Sequence, residues 1–339
     1  MTISHFLYII NRITVYNLEN VQEEKFEEAI MTGNTLGWVI VAFVLYLLMM
    51  IAIGAFYAKG NNNSEDYFLG GRKLNGFVAA LSAQASDMSG WLLMGLPGAI
   101  YLTGVGGDGW IAIGLFIGTT LNWLFIATKL RRYTIRANNS VTLPTYFENR
   151  FHDEKKVLMT VSSITIVVFF LVYCASALSA GGQLFESVFG IDYHVALTIG
   201  ALVVLVYTFL GGFTAVCVTD FIQGMLMLVG ILAVPLFAYH FLTTGGTTLS
   251  AGLEASGADS ANFLNLMKNG DGSNNIVSVI SGLGWGLGYF GMPHILVRFM
   301  AVRDEKEMTK SKATAISWVA LSLGFAVFIG ILGRAYLPE

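Results

Sequence analysis

Residues 35–58, 109–128, 157–185 and 313–333 each run without one Asp, Glu, Lys or Arg. That recurrence constrains the fold more than anything else in the sequence. A helix rises about 1.5 Å per residue, so roughly 20 apolar residues cross the hydrocarbon core of a bilayer. Several such stretches in one chain cannot all be core helices of a soluble protein. Charged residues make up only 12% of the 339 residues, against about 25% in soluble domains. The first stretch is too long for a cleaved signal peptide and is followed by further spans. The chain therefore reads as an all-α membrane protein whose principal partner is the lipid bilayer.

Eight spans are predicted, at about 36–58, 75–104, 109–129, 156–184, 193–211, 215–241, 275–301 and 313–335. Basic residues fall in alternate loops. Lys59, Arg72 and Lys73 follow the first span, Lys129 to Lys156 separate the third and fourth, and Arg303 to Lys312 separate the seventh and eighth. The intervening loops are almost bare of Lys and Arg. By the positive-inside rule the basic loops face the cytoplasm and the N-terminus lies outside. Residues 1–34 read as an extramembrane extension, or as an upstream start with Met31 as the true beginning. The close of the chain at Glu339, just past the eighth span, reads as a truncation. Cys174 and Cys217 both lie in apolar spans and imply no disulfide framework. No long basic tract points to nucleic acid, and no nucleophile–base pair or metal-ligand cluster points to an enzyme.

Asp87 lies in the middle of the second span, LNGFVAALSAQASDMSGWLLMGLPGAIYLTG. A carboxylate at mid-bilayer costs about 2.5–3.5 kcal/mol on insertion scales, so such a residue normally meets a cavity, an ion or a partner. A neutral Asp bonded to a neighbouring helix is the structural alternative. Ser86, Met88, Ser89 and Gly90 surround it, and serine and glycine are where a helix gives way most readily. A break there frees backbone carbonyls beside side-chain oxygens, a ligand set that suits a small hard cation. The half-helix starting near Gly90 would turn its positive end toward an anionic group.

The seventh span carries Gly282, Gly284, Gly286, Gly288 and Gly291 ahead of Pro293. No strand precedes these glycines and no Lys-Ser/Thr pair follows them, so they are not a phosphate loop. Small residues also serve close helix packing in membranes, but the added proline favours a second broken helix. Paired broken helices are the best sequence pointer to a midplane transport site. Trp285 and Tyr289, four apart, would share a helix face and could wall an apolar ring. Tyr173, in the fourth span, carries a hydroxyl that wants a partner. Asp220 heads the sixth span, where an interfacial carboxylate or helix cap is expected, and Asp108 is similar on the outer side. Arg72 reads as a topology determinant with a possible gating role.

The strings ALSAQASDMSGWLLMGLPGA, DYFLGGRKL, YCAS, YTFLGGFTAVCVTDFIQ and GWGLGYFGMPHILVRFMA resemble the bacterial proline-transporting branch of the sodium/solute symporter family. The resemblance runs from about residue 35 to the C-terminus. It implies a leucine-transporter-like inverted-repeat fold with an extra N-terminal helix at 36–58. The first repeat would cover 75–241, and the second, incomplete, would open at 275–335. It further implies sodium-driven import of L-proline by alternating access across the bacterial inner membrane, with sodium as coupling ion and no other cofactor.

Carried over residue by residue, Asp87 and Ser89 belong to the sodium and proline coupling region, and the carbonyls of Ala85 and Met88 to the sodium site. Gly90 and Trp91 adjoin the ligand, Tyr173, Trp285, Tyr289 and Pro293 shape the proline pocket, and Arg72 and Asp220 take part in coupling or gating. Met292 replaces a glutamine found in close relatives. The hydroxyls that complete the sodium site lie on a later helix of the family, so the 339 residues alone are expected not to couple sodium to uptake. A symporter for another small solute such as pantothenate or a sugar, and a transporter-like sensor domain of a membrane signalling protein, are the alternatives.

Overall fold

A computed structural model describes residues 33–336, entirely through helices and short connections. The expectations for residues 1–32 lie outside the described residues. Helix α1 (Gly33–Ala58) leads through the short α2 (Ser64–Leu69) to α3 (Gly76–Gly90) and α4 (Leu96–Thr103), with a wide π turn at Trp91–Gly95 between them. Helix α5 (Val105–Leu121) continues through a second π turn, Asn122–Ala127, into α6 (Thr128–Arg136). Then follow α7 (Leu143–Phe151), α8 (Val157–Phe189), α9 (Tyr193–Thr244), and the small α10 (Leu249–Ala255) and α11 (Ser260–Phe263). Helix α12 (Ile276–Trp285) tightens into a 3-10 turn at Gly286–Phe290 before α13 (Pro293–Ala301), and α14 (Glu305–Tyr336) closes the described chain.

Among the described residues five helices are long and apolar enough to cross a membrane, and Ile276–Phe290 with Pro293–Ala301 form a sixth, bent by 44°. The predicted second span is the α3–α4 pair, continuous across its π turn. The predicted fifth and sixth spans are the two arms of α9. Gly212, at φ 60° and ψ −158°, interrupts the helix where a loop at 212–214 is predicted. Tyr207 comes within hydrogen-bonding reach of Thr219 across that break, although an unbroken helix would hold positions 207 and 219 about 18 Å apart. The chain therefore doubles back at Gly212, where only a residue without Cβ takes positive φ at no cost. The predicted third span proves longer than 109–129, because helical structure runs on to Arg136.

The interior is organised around α3, α4 and α14. Met88, Leu92, Leu96 and Ile100 recur at four-residue spacing, so one buried stripe survives the change of helix geometry. Trp318, Val319, Leu323 and Ala326 of α14 belong to the same buried cluster. At one end the basic connections converge: Leu74 pairs with Ala301 and Arg303, Arg131 reaches the Val302 carbonyl at 2.6 Å, and Arg132 meets Glu305 at 2.6 Å. At the other end Gly270 bonds to Thr103, and Trp110 donates to the Leu266 carbonyl at 2.8 Å. The alternation of basic and bare loops thus corresponds to two ends of one bundle.

Candidate functional site

Ser89 breaks α3, with φ 44° and ψ −157° inside the helical run. A non-glycine residue at positive φ stores strain that the surroundings must hold. The break falls one residue before Gly90, and the chain re-enters a helix at once. The Trp91 N–H is consequently not free, since it bonds to the Met88 carbonyl and lies 3.5 Å from Ser89 Oγ. One donor of the half-helix end expected near Gly90 is therefore already used within the break. Carbonyl oxygens keep a second lone pair, so Met88 can still accept another ligand.

The break exposes Asp87 to the second broken span. The Tyr289 hydroxyl donates to Asp87 Oδ2 at 2.6 Å, the short length of a charge-assisted bond. Tyr289 is 2% exposed, and its carbonyl accepts from Asn122 Nδ2 at 2.8 Å. No salt bridge among the described residues involves Asp87. Trp91 stacks on Trp285, with ring centroids 5.7 Å apart and planes 24° apart. The expected shared face of Trp285 and Tyr289 is not what forms. The 3-10 turn after Trp285 advances the chain by about 120° per residue, which carries Tyr289 inward to Asp87 and leaves Trp285 half-exposed on Trp91.

The glycines of this span divide between two roles. A Cβ at Gly282 or Gly286 would collide with the backbone of α5 at Trp110 and Gly114, and Gly114 and Gly118 answer from the other side. These four let two helices meet backbone to backbone. Gly284 faces open space and Gly291 touches almost nothing, so the bend at Gly291–Met292, before Pro293 at the first turn of α13, is where the break itself lies. Packing and breakage are both present, at different glycines.

Tyr173 donates to the Ser86 carbonyl at 3.0 Å, one residue from Asp87. Ala85 is buried where Gly224 of the second α9 arm approaches α3. Asp87, Ser89, Trp91, Tyr173, Trp285 and Tyr289 are therefore gathered at the two breaks, with Ala85, Met88, Gly90 and Pro293 directly adjoining.

Asp220 is not an interfacial carboxylate or a helix cap. It is buried, and Arg298 of α13 pairs with it at 2.8 Å. The guanidinium also donates to Ser82 Oγ at 2.9 Å, Ser86 Oγ at 2.6 Å and the His294 carbonyl at 2.5 Å. Ser82 and Ser86 in turn donate to Asp220 at 2.7 and 3.0 Å. This network ties α3, the second arm of α9 and α13 together, immediately beside the Asp87 break. Sequence reasoning passed over Arg298 and Ser82, and read Ser86 only as a residue that weakens the helix beside Asp87. The available signal was a second charge, Arg298, inside the apolar string HILVRFMA, opposite in sign to the stranded Asp220.

Arg72 lies apart from this cluster. Its buried side chain bonds to Glu65, Asn139, Thr134, the Met300 carbonyl and the Ser140 carbonyl, at 2.8–3.3 Å. Burial lowers its pKa, and the Glu65 carboxylate opposes that shift. Arg72 is thus a staple between three connections at the basic end, and more than a topology signal. Asp108 lies in the first turn of α5 and accepts from the Thr103 hydroxyl at 2.9 Å, so it is a local side-chain partner and not a helix cap.

The model of the sodium:solute symporter family matches residues 67–338. The chain belongs to that family. Within it, the chain is 46% identical over 297 residues to the sodium/proline symporter of Salmonella typhimurium, covering 88% of this chain and 57% of that one. It is 44% identical to the sodium/proline symporter of Escherichia coli, over 88% of this chain and 58% of the relative. The Staphylococcus aureus sodium/proline symporter is 43% identical over 88% and 56% of the two chains. The chain thus spans a little over half the length of the curated relatives it matches. A solved Na+-coupled sialic acid symporter, in a substrate-bound outward-open state, superposes with a TM-score of 0.71 at 20% identity, covering 88% of this chain and 61% of the other. That likeness establishes a leucine-transporter-like symporter fold for this multi-pass chain, and the family is one of transporters.

Proposed function

We propose that this symporter-family chain is part of a transporter that carries out sodium-coupled import of L-proline by alternating access. The observation that carries the reading is the Asp87–Tyr289 contact at 2.6 Å between two broken spans, in a chain 43–46% identical to sodium/proline symporters. Asp87 would attract sodium, with the Ser89 hydroxyl and the carbonyls of Ala85 and Met88 as hard oxygen ligands. The stacked Trp91 and Trp285 offer a flat apolar wall for a pyrrolidine ring. Gly90 keeps that wall accessible, and Tyr173 and Pro293 bound it on the other side. The span of Tyr289 offers no formal charge to the ligand until Arg298, which is already paired. That balance suits a small zwitterion with an apolar ring rather than a sugar.

The Arg298–Asp220 network and the Arg72 staple would hold the basic end shut while the opposite end admits ligand. The basic loops would face the cytoplasm of a bacterial inner membrane, with the N-terminus outside. Uptake of labelled L-proline by the full-length protein, in vesicles from cells lacking their own proline carriers, tests the reading. An imposed sodium gradient should drive accumulation; accumulation equal with potassium in place of sodium would refute it.

A further inference from the structure

His294 is a partly buried titratable group that none of the roles above uses. It stands in the first turn of α13, one residue after Pro293. Its ring lies flat on the Tyr173 ring, with centroids 5.7 Å apart and planes 20° apart, and meets Phe170 edge-on at 5.4 Å. Both ring nitrogens are buried and neither has a hydrogen-bond partner. Leaving a buried polar group unmatched is costly, and native structures seldom do so without a reason. Phenylalanine would fill the same aromatic stack without that cost.

The surroundings say which chemistry the imidazole serves. No side chain caps α13, so its positive end is open toward the break. Arg298 donates to the His294 carbonyl, not to the ring, and its charge is matched by Asp220. Asp87 lies on the other broken span, one residue from the Ser86 carbonyl that Tyr173 holds. The site therefore has an acidic side at α3 and a donor side at α13. A neutral imidazole carries one N–H donor, and here it stands in the first turn of α13, where an anionic group is favoured.

We propose that His294 is a substrate-contacting residue whose ring N–H donates to the carboxylate of the transported amino acid. The proposal rests on the proline-transport reading, and the two can fail separately. The test is sodium-driven proline uptake by the full-length protein carrying His294→Phe, His294→Asn or His294→Gln, each normalised to the amount of protein in the membrane. A packing role ranks phenylalanine best, because it keeps the stack on Tyr173. A donor role ranks the amides best, because they keep an N–H.

We expect His294→Phe to raise the half-saturating proline concentration at least about tenfold, the effect of losing one hydrogen bond to a charged group. The better of the two amide variants should stay within about threefold of wild type, and half-saturation for sodium should hold in all three. A phenylalanine variant that binds proline as well as, or better than, both amide variants overturns the proposal. Wild-type protein that takes up no proline would instead overturn the transport reading, leaving the His294 comparison without its premise.

Discussion

Breaking the Arg298–Asp220 pair is the perturbation whose size follows most directly from the coordinates. Arg298→Met keeps the aliphatic volume but deletes donors to Asp220, Ser82, Ser86 and the His294 carbonyl. The Asp220 carboxylate is left buried, with only the Ser82 and Ser86 hydroxyls at 2.7 and 3.0 Å. Removing one member of a buried pair typically costs about 3–5 kcal/mol, because the other charge stays behind unmatched. Asp220→Asn alone should cost less, since an amide still accepts from the guanidinium. Replacing both, as Arg298→Met with Asp220→Leu, removes the unmatched charge and should recover most of the loss. The assay is denaturant or thermal unfolding of the purified protein in detergent, read as a double-mutant cycle with Asp220→Leu as the second single variant. A coupling energy near zero, with the double variant as unstable as the sum of the singles, would refute the picture of a mutually neutralising buried pair.

Further consequences can be checked separately. Tyr289→Phe removes the hydroxyl from Asp87 at 2.6 Å; polar contacts between membrane helices average about 0.6 and reach about 1.7 kcal/mol, so half-saturation for sodium should rise roughly 3- to 20-fold, and an unchanged value would count against Asp87 as an ion ligand. Gly286→Ala places a Cβ against the Gly114 backbone and should destabilise by about 1–3 kcal/mol, whereas Gly284→Ala meets open space and should be neutral or mildly stabilising. Equal effects at the two glycines in an unfolding experiment would contradict the division between packing and breakage.

The parts of this molecule that were legible beforehand are those where a residue is costly in its place. Asp87 stood out because a carboxylate in an apolar run needs a reason, and the Ser-Gly sequence beside it located the break to within one residue of Ser89. The two arms of α9 were separable because Gly211 and Gly212 interrupt an otherwise continuous apolar run. What stayed hidden depends on rotation and on partners far away in sequence. The spacing of Trp285 and Tyr289 says they share a face only if the helix stays α-helical, and a few residues of 3-10 geometry turned them apart. Asp220 looked interfacial because its partner, Arg298, lies 78 positions on. Each charge alone resembles a span-end anchor, and only the three-dimensional pairing reveals a lock. The glycines of α12 could not be sorted from composition, because whether a glycine packs or bends depends on the helix opposite it.

The most direct test of the central claim is the sodium dependence of proline uptake by the full-length protein with Asp87→Asn. The substitution keeps the size of the side chain and a carbonyl oxygen for the Tyr289 hydroxyl, but removes the negative charge that would attract the cation. If Asp87 couples sodium to proline, half-saturation for sodium should rise at least about tenfold, the loss of one charged interaction of roughly 1.4 kcal/mol or more, with far less uptake at low sodium. A variant whose sodium dependence matches the wild type would show that the carboxylate between the two broken spans is not the coupling site.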